Sequence, residues 1–132
     1  MRLIIAGLCA ASVLLLSTPS TAADSAVPVK RSGCFYAHDM ENWKAPDAKT
    51  IYIRVQMHDY YRLDLAASCP MLLWPNSHLI TVGHGAETVC SALDWDLKVS
   101  QDVNGFSEPC IVKTMAALTP DEVAAIPKKF KP

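Results

Sequence analysis

The 132-residue chain carries twelve Lys and Arg against thirteen Asp and Glu, a formal charge of −1, and 51% of its residues are hydrophobic. That balance excludes the basic surface that nucleic acid requires, and no block of like charge marks a solvated interaction tail. The length limits the chain to one ordinary domain once its N-terminal segment is set aside.

Met1-Arg2 places a positive charge ahead of residues 3–16, an apolar run broken only by Gly7 and Ser12, and small residues then lead to Ala22-Ala23. These are the three parts of a secretory signal peptide, read as residues 1–23 with cleavage near Ala22 or Ala23. The run is shorter than the roughly 20 apolar residues of a membrane-spanning helix. The protein is therefore expected to be periplasmic or secreted, with no transmembrane segment in the mature chain. Residues 24–31 carry no period and read as a flexible leader; residues 32–132 read as a single β-rich domain. The cationic clusters, Lys30-Arg31 and Lys128, Lys129 and Lys131, read as solvated ends.

From Cys34 onward, short period-two segments alternate with turn signals, as strands do. In residues 50–55, Ile51, Ile53 and Val55 share one face; in residues 60–65, Tyr61, Leu63 and Leu65 do. His58-Asp59 is placed as the turn between them. Gly83-His84-Gly85 divides residues 78–82 from 87–90 and reads as a second hairpin tip, the glycines allowing positive φ. Residues 94–100 repeat the alternation with Trp95, Leu97 and Val99 inward. Asn104-Gly105, a strong hairpin signal, separates that segment from residues 110–115. The expected fold is mainly β, a small antiparallel meander forming a sandwich or partly closed barrel.

One helix is expected, over about residues 120–126. Thr119 is the N-cap, Pro120 the first helical residue and Glu122 the partner in a reciprocal capping box, with Leu118 and Val123 as a hydrophobic staple. Pro127 ends it after two turns. So short a helix must dock its Val123 and Ile126 side on the sheet.

Gly33-Cys-Phe35, Glu41-Asn-Trp-Lys-Ala-Pro-Asp47, Tyr61-Arg-Leu-Asp-Leu65 and Cys69-Pro70 occur in this order. Val89-Cys90, Trp95-Asp-Leu97, Cys110-Ile-Val112 and the closing run from Leu118 to Lys129 follow. With these motifs the chain resembles a family of short, secreted bacterial proteins classed as a domain of unknown function. The resemblance spans about residues 32–132. It implies export and a cysteine framework, and no activity, ligand or catalytic residue.

Cys9 lies within the signal segment, so Cys34, Cys69, Cys90 and Cys110 remain, an even number that reads as two disulfides. Three pairings are open to four cysteines. Cys34 opens the first strand and Cys110 the last, which are neighbours in a nearly closed sheet, while Cys69 and Cys90 bracket the central hairpin. The expected pairing is the nested one, Cys34–Cys110 with Cys69–Cys90. Zinc on Cys69, Cys90, His78 and His84 is the competing account. It lacks the close cysteine pair of structural zinc sites, so no metal and no cofactor is expected.

His38-Asp39 and His58-Asp59 set a base beside a carboxylate, but adjacent strand residues point to opposite faces, and no nucleophile elbow accompanies them. Asp94 and Asp96 read as a solvated strand face. Trp43 and Trp74 fall outside the alternation and read either as plugs over the sheet or as platforms for a ligand. Tyr52 and Tyr60 project with Arg54 and Arg62 from hairpin strands. The ligand-binding candidates are thus Trp43, Tyr52, Arg54, Tyr60, Arg62 and Trp74. The expectation is a non-enzymatic binding or envelope-accessory protein, its partner an envelope protein or a small ligand. The alternative is a small periplasmic enzyme or metal-binding accessory protein using His58, Asp59 and neighbours.

Overall fold

Alternating apolar residues build a four-stranded antiparallel sheet first. In the computed structural model, which describes residues 33–81, 88–101 and 105–132, β2 (Met40–Asp47), β3 (Thr50–Val55) and β4 (Asp59–Leu65) form a meander. β4 then pairs with β9 (Val112–Ala117). Tyr61 stands opposite Ile53 and Leu63 opposite Ile51, so the buried rows of β3 and β4 meet on one face. A second sheet runs in the order β5 (Ser77–Thr81), β7 (Leu97–Gln101), β8 (Ser107–Pro109). The mainly β, antiparallel architecture is as expected, with no closed barrel.

The two sheets share one bent segment. β8 pairs with β7, and two residues later β9 pairs with β4, so Cys110 and Ile111 form the corner where the chain changes sheets. The Cys110 amide donates to the Leu97 carbonyl at 2.8 Å, and Ile111 accepts from the Ala66 amide at 2.9 Å. Between the inner faces lies the core, with Ile51, Ile53, Leu63, Val99 and Leu97 among its buried side chains. A 3-10 turn, Pro70–Leu73, contributes buried Met71 and Leu72 and packs against both β2 and β5, one edge strand of each sheet.

Several expectations need correcting. β5 pairs with β7, and β6 (Thr88–Val89) pairs with β1 (Phe35–Tyr36), so the segments flanking Gly83-His84-Gly85 do not form a hairpin with each other; that tip lies outside the described residues. The strand expected from Asp94 begins at Leu97, because Ala92–Asp94 is a 3-10 turn closed by a Ser91/Asp94 capping box. The disulfides are Cys34–Cys90 and Cys69–Cys110, interleaved instead of nested. The premise that failed is the neighbourhood of first and last strands. β1 lies beside β6, and its register, Phe35 opposite Val89 and Tyr36 opposite Thr88, places Cys34 opposite Cys90 one rung further on. Cys110, at the corner, meets Cys69 just beyond β4.

Gly33 precedes this first rung for a steric reason. The Tyr61 hydroxyl donates to its carbonyl at 3.2 Å and lies 2.7 Å from where a Cβ would stand, so a side chain there would have to displace the tip of Tyr61. At the other end, α1 (Pro120–Ala125) has the expected cap: Thr119 Oγ1 accepts from the Glu122 amide, and Glu122 accepts from the Thr119 amide at 2.7 Å. Beyond it, Ile126 is buried away from the main core, and Pro132 is buried as well.

Candidate functional site

The six sequence candidates separate into two places. Tyr52, Arg54, Tyr60 and Arg62 form a chequered patch on the outer face of the four-stranded sheet, Tyr52 opposite Arg62 and Arg54 opposite Tyr60. The chain itself occupies much of it. Arg54 donates to Glu41 at 3.2 Å and to the Pro132 carbonyl at 3.4 Å, and the Lys131 ammonium lies 5.7 Å from the Tyr60 ring centre. Arg62 is paired with Asp64 at 2.8 Å. Charges committed to internal partners leave this face less to offer a ligand.

Trp43 and Trp74 come together elsewhere. They line one groove of about 400 Å³ between edge strand β2 and the turn that leads into β5. Trp43 stands opposite Ile53, so its ring belongs to the inner face and packs against the core while bordering the groove. Its amide donates to Asn42 Oδ1 at 2.8 Å. Trp74 is 52% exposed. One tryptophan is thus a plug that borders the groove, and the other projects at its rim.

The rim is held by local hydrogen bonds. Ser77 Oγ lies 2.5 Å from the Met71 carbonyl and 2.9 Å from the Trp74 carbonyl, and the Trp74 amide donates to Met71. Gln101 Nε2 donates to the Pro75 carbonyl at 3.0 Å. Asn76 takes φ +58°, a left-handed conformation that asparagine tolerates better than most residues. Asn42, Lys44, Asn76 and Ser77 add polar groups to the lining and Ala45, Leu72 and Leu73 apolar ones; none of the seven stood out in the sequence. The Pro75-Asn76-Ser77 turn signal after Trp74 was the clue available for Asn76 and Ser77.

A second groove, about 190 Å³, has an apolar rim: Leu93 is 94% exposed and Ile111 71% exposed beside Trp95 and Pro109. Trp95 itself packs on the core, and its Nε1 donates to Met115 Sδ at 3.3 Å.

With the geometry in view, comparison with known proteins adds one result. The model of a family of unknown function, DUF6491, matches residues 1–130. The chain belongs to that family. The resemblance carried by its four cysteines and closing Leu-Thr-Pro run therefore holds. No curated protein and no solved structure matches the chain.

The histidines of this DUF6491 chain do not build a centre among the described residues. His38 stacks on Tyr36 with ring centres 5.3 Å apart, and its Nε2 lies 3.5 Å from Asp39 Oδ1. His58 is exposed in the β3–β4 turn, and His78 is exposed on β5. The two His-Asp pairs share one end of the sheet, where the Gln56 amide donates to the Asp39 carbonyl. Even so, no three His, Cys, Asp or Glu side chains among the described residues are arranged to hold a metal ion; His84 lies outside them. Neither groove is lined by a histidine. Among the described residues no helix is long and apolar enough to cross a membrane.

Asp94 lies in the Ala92–Asp94 turn and not on the expected solvated strand face, and it has a structural role. It accepts from the Cys90 amide at 2.9 Å, the Ser91 amide at 2.7 Å and the Ser91 hydroxyl at 3.0 Å. These bonds, the Cys90 amide first, hold its carboxyl below the usual carboxylate range.

Proposed function

We propose that this protein is an exported, non-enzymatic domain that binds a ligand in the groove between Trp43 and Trp74. The observation that supports this reading is the meeting of these two tryptophans, distant in sequence, on one groove with a hydrogen-bonded rim. A pre-formed concave site with aromatic walls and a few polar groups is the usual form of a small-ligand site. Two disulfides fit an oxidising compartment, and the N-terminal charged, apolar and small-residue order supports export with cleavage near Ala22 or Ala23.

Native mass spectrometry of the unreduced protein, purified from the compartment it is exported to, tests the reading. A copurifying mass that Trp74→Ala loses supports it. A ligand retained in full by Trp74→Ala overturns it, as does a bound metal ion that His58→Ala releases, which would favour the metal-binding alternative.

A second reading is carried by the Leu93 and Ile111 rim, an apolar patch suited to an envelope partner. Sedimentation would separate the two, since Leu93→Ser with Ile111→Ser abolishes an association made there and leaves the tryptophan groove intact.

A further inference from the structure

The lining of the tryptophan groove narrows the class of ligand. Among the described residues Lys44 is its one ionisable side chain. A cationic ligand would call for carboxylates, and the described lining offers none. A phosphate or polyanion would call for several cations or an arginine fork, and a single exposed lysine is a weak substitute. A lipid tail would call for an enclosed apolar cavity, whereas Asn42, Asn76 and Ser77 bring amides and a hydroxyl to the wall.

An extended peptide must also be weighed, because among the described residues β2 and β5 are both edge strands beside the groove. A peptide adding to β2 would need a regular run of outward amides. Pro46 has no amide hydrogen to give, and the β2 register is irregular between Lys44 and Asp47, within the stretch a new strand would use. The Trp43 amide already has a partner in Asn42.

We infer that the groove takes a neutral oligosaccharide; this rests on the groove being the ligand site. A pyranose ring presents an apolar C–H face and a hydroxylated edge. Indole faces accept the first, and the side-chain amides of Asn42 and Asn76, which both donate and accept, pair with the second; Ser77 Oγ, whose proton goes to the Met71 and Trp74 carbonyls, can add only an acceptor. The volume of about 400 Å³ lies within the range of small-molecule sites. The hydrogen bonds of the rim hold the backbone that carries Trp74, which lowers the backbone entropy lost on binding.

The test is calorimetric titration of the unreduced protein with maltotriose, cellotriose and chitotriose, and separately with an alanine-rich tetrapeptide. One of the three sugars should saturate the protein. Trp74→Ala should weaken it by about tenfold or more, Trp74→Phe should retain most of the affinity, and Lys44→Gln should change it by less than about threefold. Since Trp74 is half exposed, its variants should melt with the wild type. No binding by any of the three sugars at about 10 mM, or sugar binding indifferent to Trp74→Ala, overturns the inference. Peptide binding that needs Trp74 overturns the saccharide and leaves the groove as the site. A copurifying ligand indifferent to Trp74 overturns the groove itself.

Discussion

Cys34 faces Cys90 across the rung next to Phe35 and Val89, and their disulfide closes β1 onto β6 with Cα atoms 4.1 Å apart. Both residues are exposed, whereas Cys69 and Cys110 are buried at 2% and 4%. Graded reduction should therefore open Cys34–Cys90 first, because thiolate attack needs access to a sulfur. Mapping needs a cut other than a tryptic one, at Glu87 for instance, since no Lys or Arg separates Cys69 from Cys90. A Cys69–Cys90 or Cys34–Cys110 peptide would contradict this connectivity. With loops of 56 and 41 residues, each bridge contributes about 4 kcal/mol in the chain-entropy model.

Leu63 and Leu93 separate burial from hydrophobicity. Leu63 is fully buried between the sheets, and Leu93 is 94% exposed. Leu63→Ala should cost about 2–5 kcal/mol, and Leu93→Ala should stay within about 0.5 kcal/mol, both by urea unfolding of the unreduced protein. Equal losses would mean that the Leu93 rim is covered in the native molecule.

Local rules made the strands and the C-terminal helix legible. The alternation of Ile51, Ile53 and Val55 with Tyr61, Leu63 and Leu65 needs only the two-residue period of a pleated sheet, and the Thr119/Glu122 box needs only one helical turn. Apart from the local Ser91/Asp94 box, which delays β7 to Leu97, what failed depended on which distant strands meet. Nothing near Cys34 says that β1 seeks β6, and nothing near Cys110 says that the chain turns a corner there. The candidate site shows the same division. Trp43 and Trp74 stood out because they were read as outside the alternation, although Trp43 lies on the inner face of β2, and their sharing a groove follows from the packing of Pro70–Leu73 against β2. The Tyr52 and Arg54 face looked open because the reach of Pro132 to Arg54 spans 78 residues.

Asp94 gives stability a defined response to acid. Its folded-state pKa lies below the unfolded value, so its contribution is present above roughly pH 3.9, the ordinary carboxyl value, and is lost as pH falls through the folded-state value. Asp94→Asn should be less stable than wild type at neutral pH, and the two unfolding midpoints should converge in acid. A gap that does not change with pH would show that the capping amides do not depend on the charge.

The C-terminal segment tests whether apolar burial or charge holds the outer face of the sheet. Arg54 reaches both Glu41 and Pro132, but the Arg54–Glu41 pair is about one-third to two-fifths exposed, at 32% and 44%. Such pairs contribute about 0–1 kcal/mol. Ile126 is buried at 6% just beyond α1, where it ties the two-turn helix to the domain. Ile126→Ala should cost about 2–5 kcal/mol and speed hydrogen exchange at the Val123 and Leu118 amides, which donate to Thr119 and Tyr60. Arg54→Ala should leave both amides protected. If Arg54→Ala instead releases the segment, the charged contacts hold it, and the Tyr60 face would open as ionic strength rises.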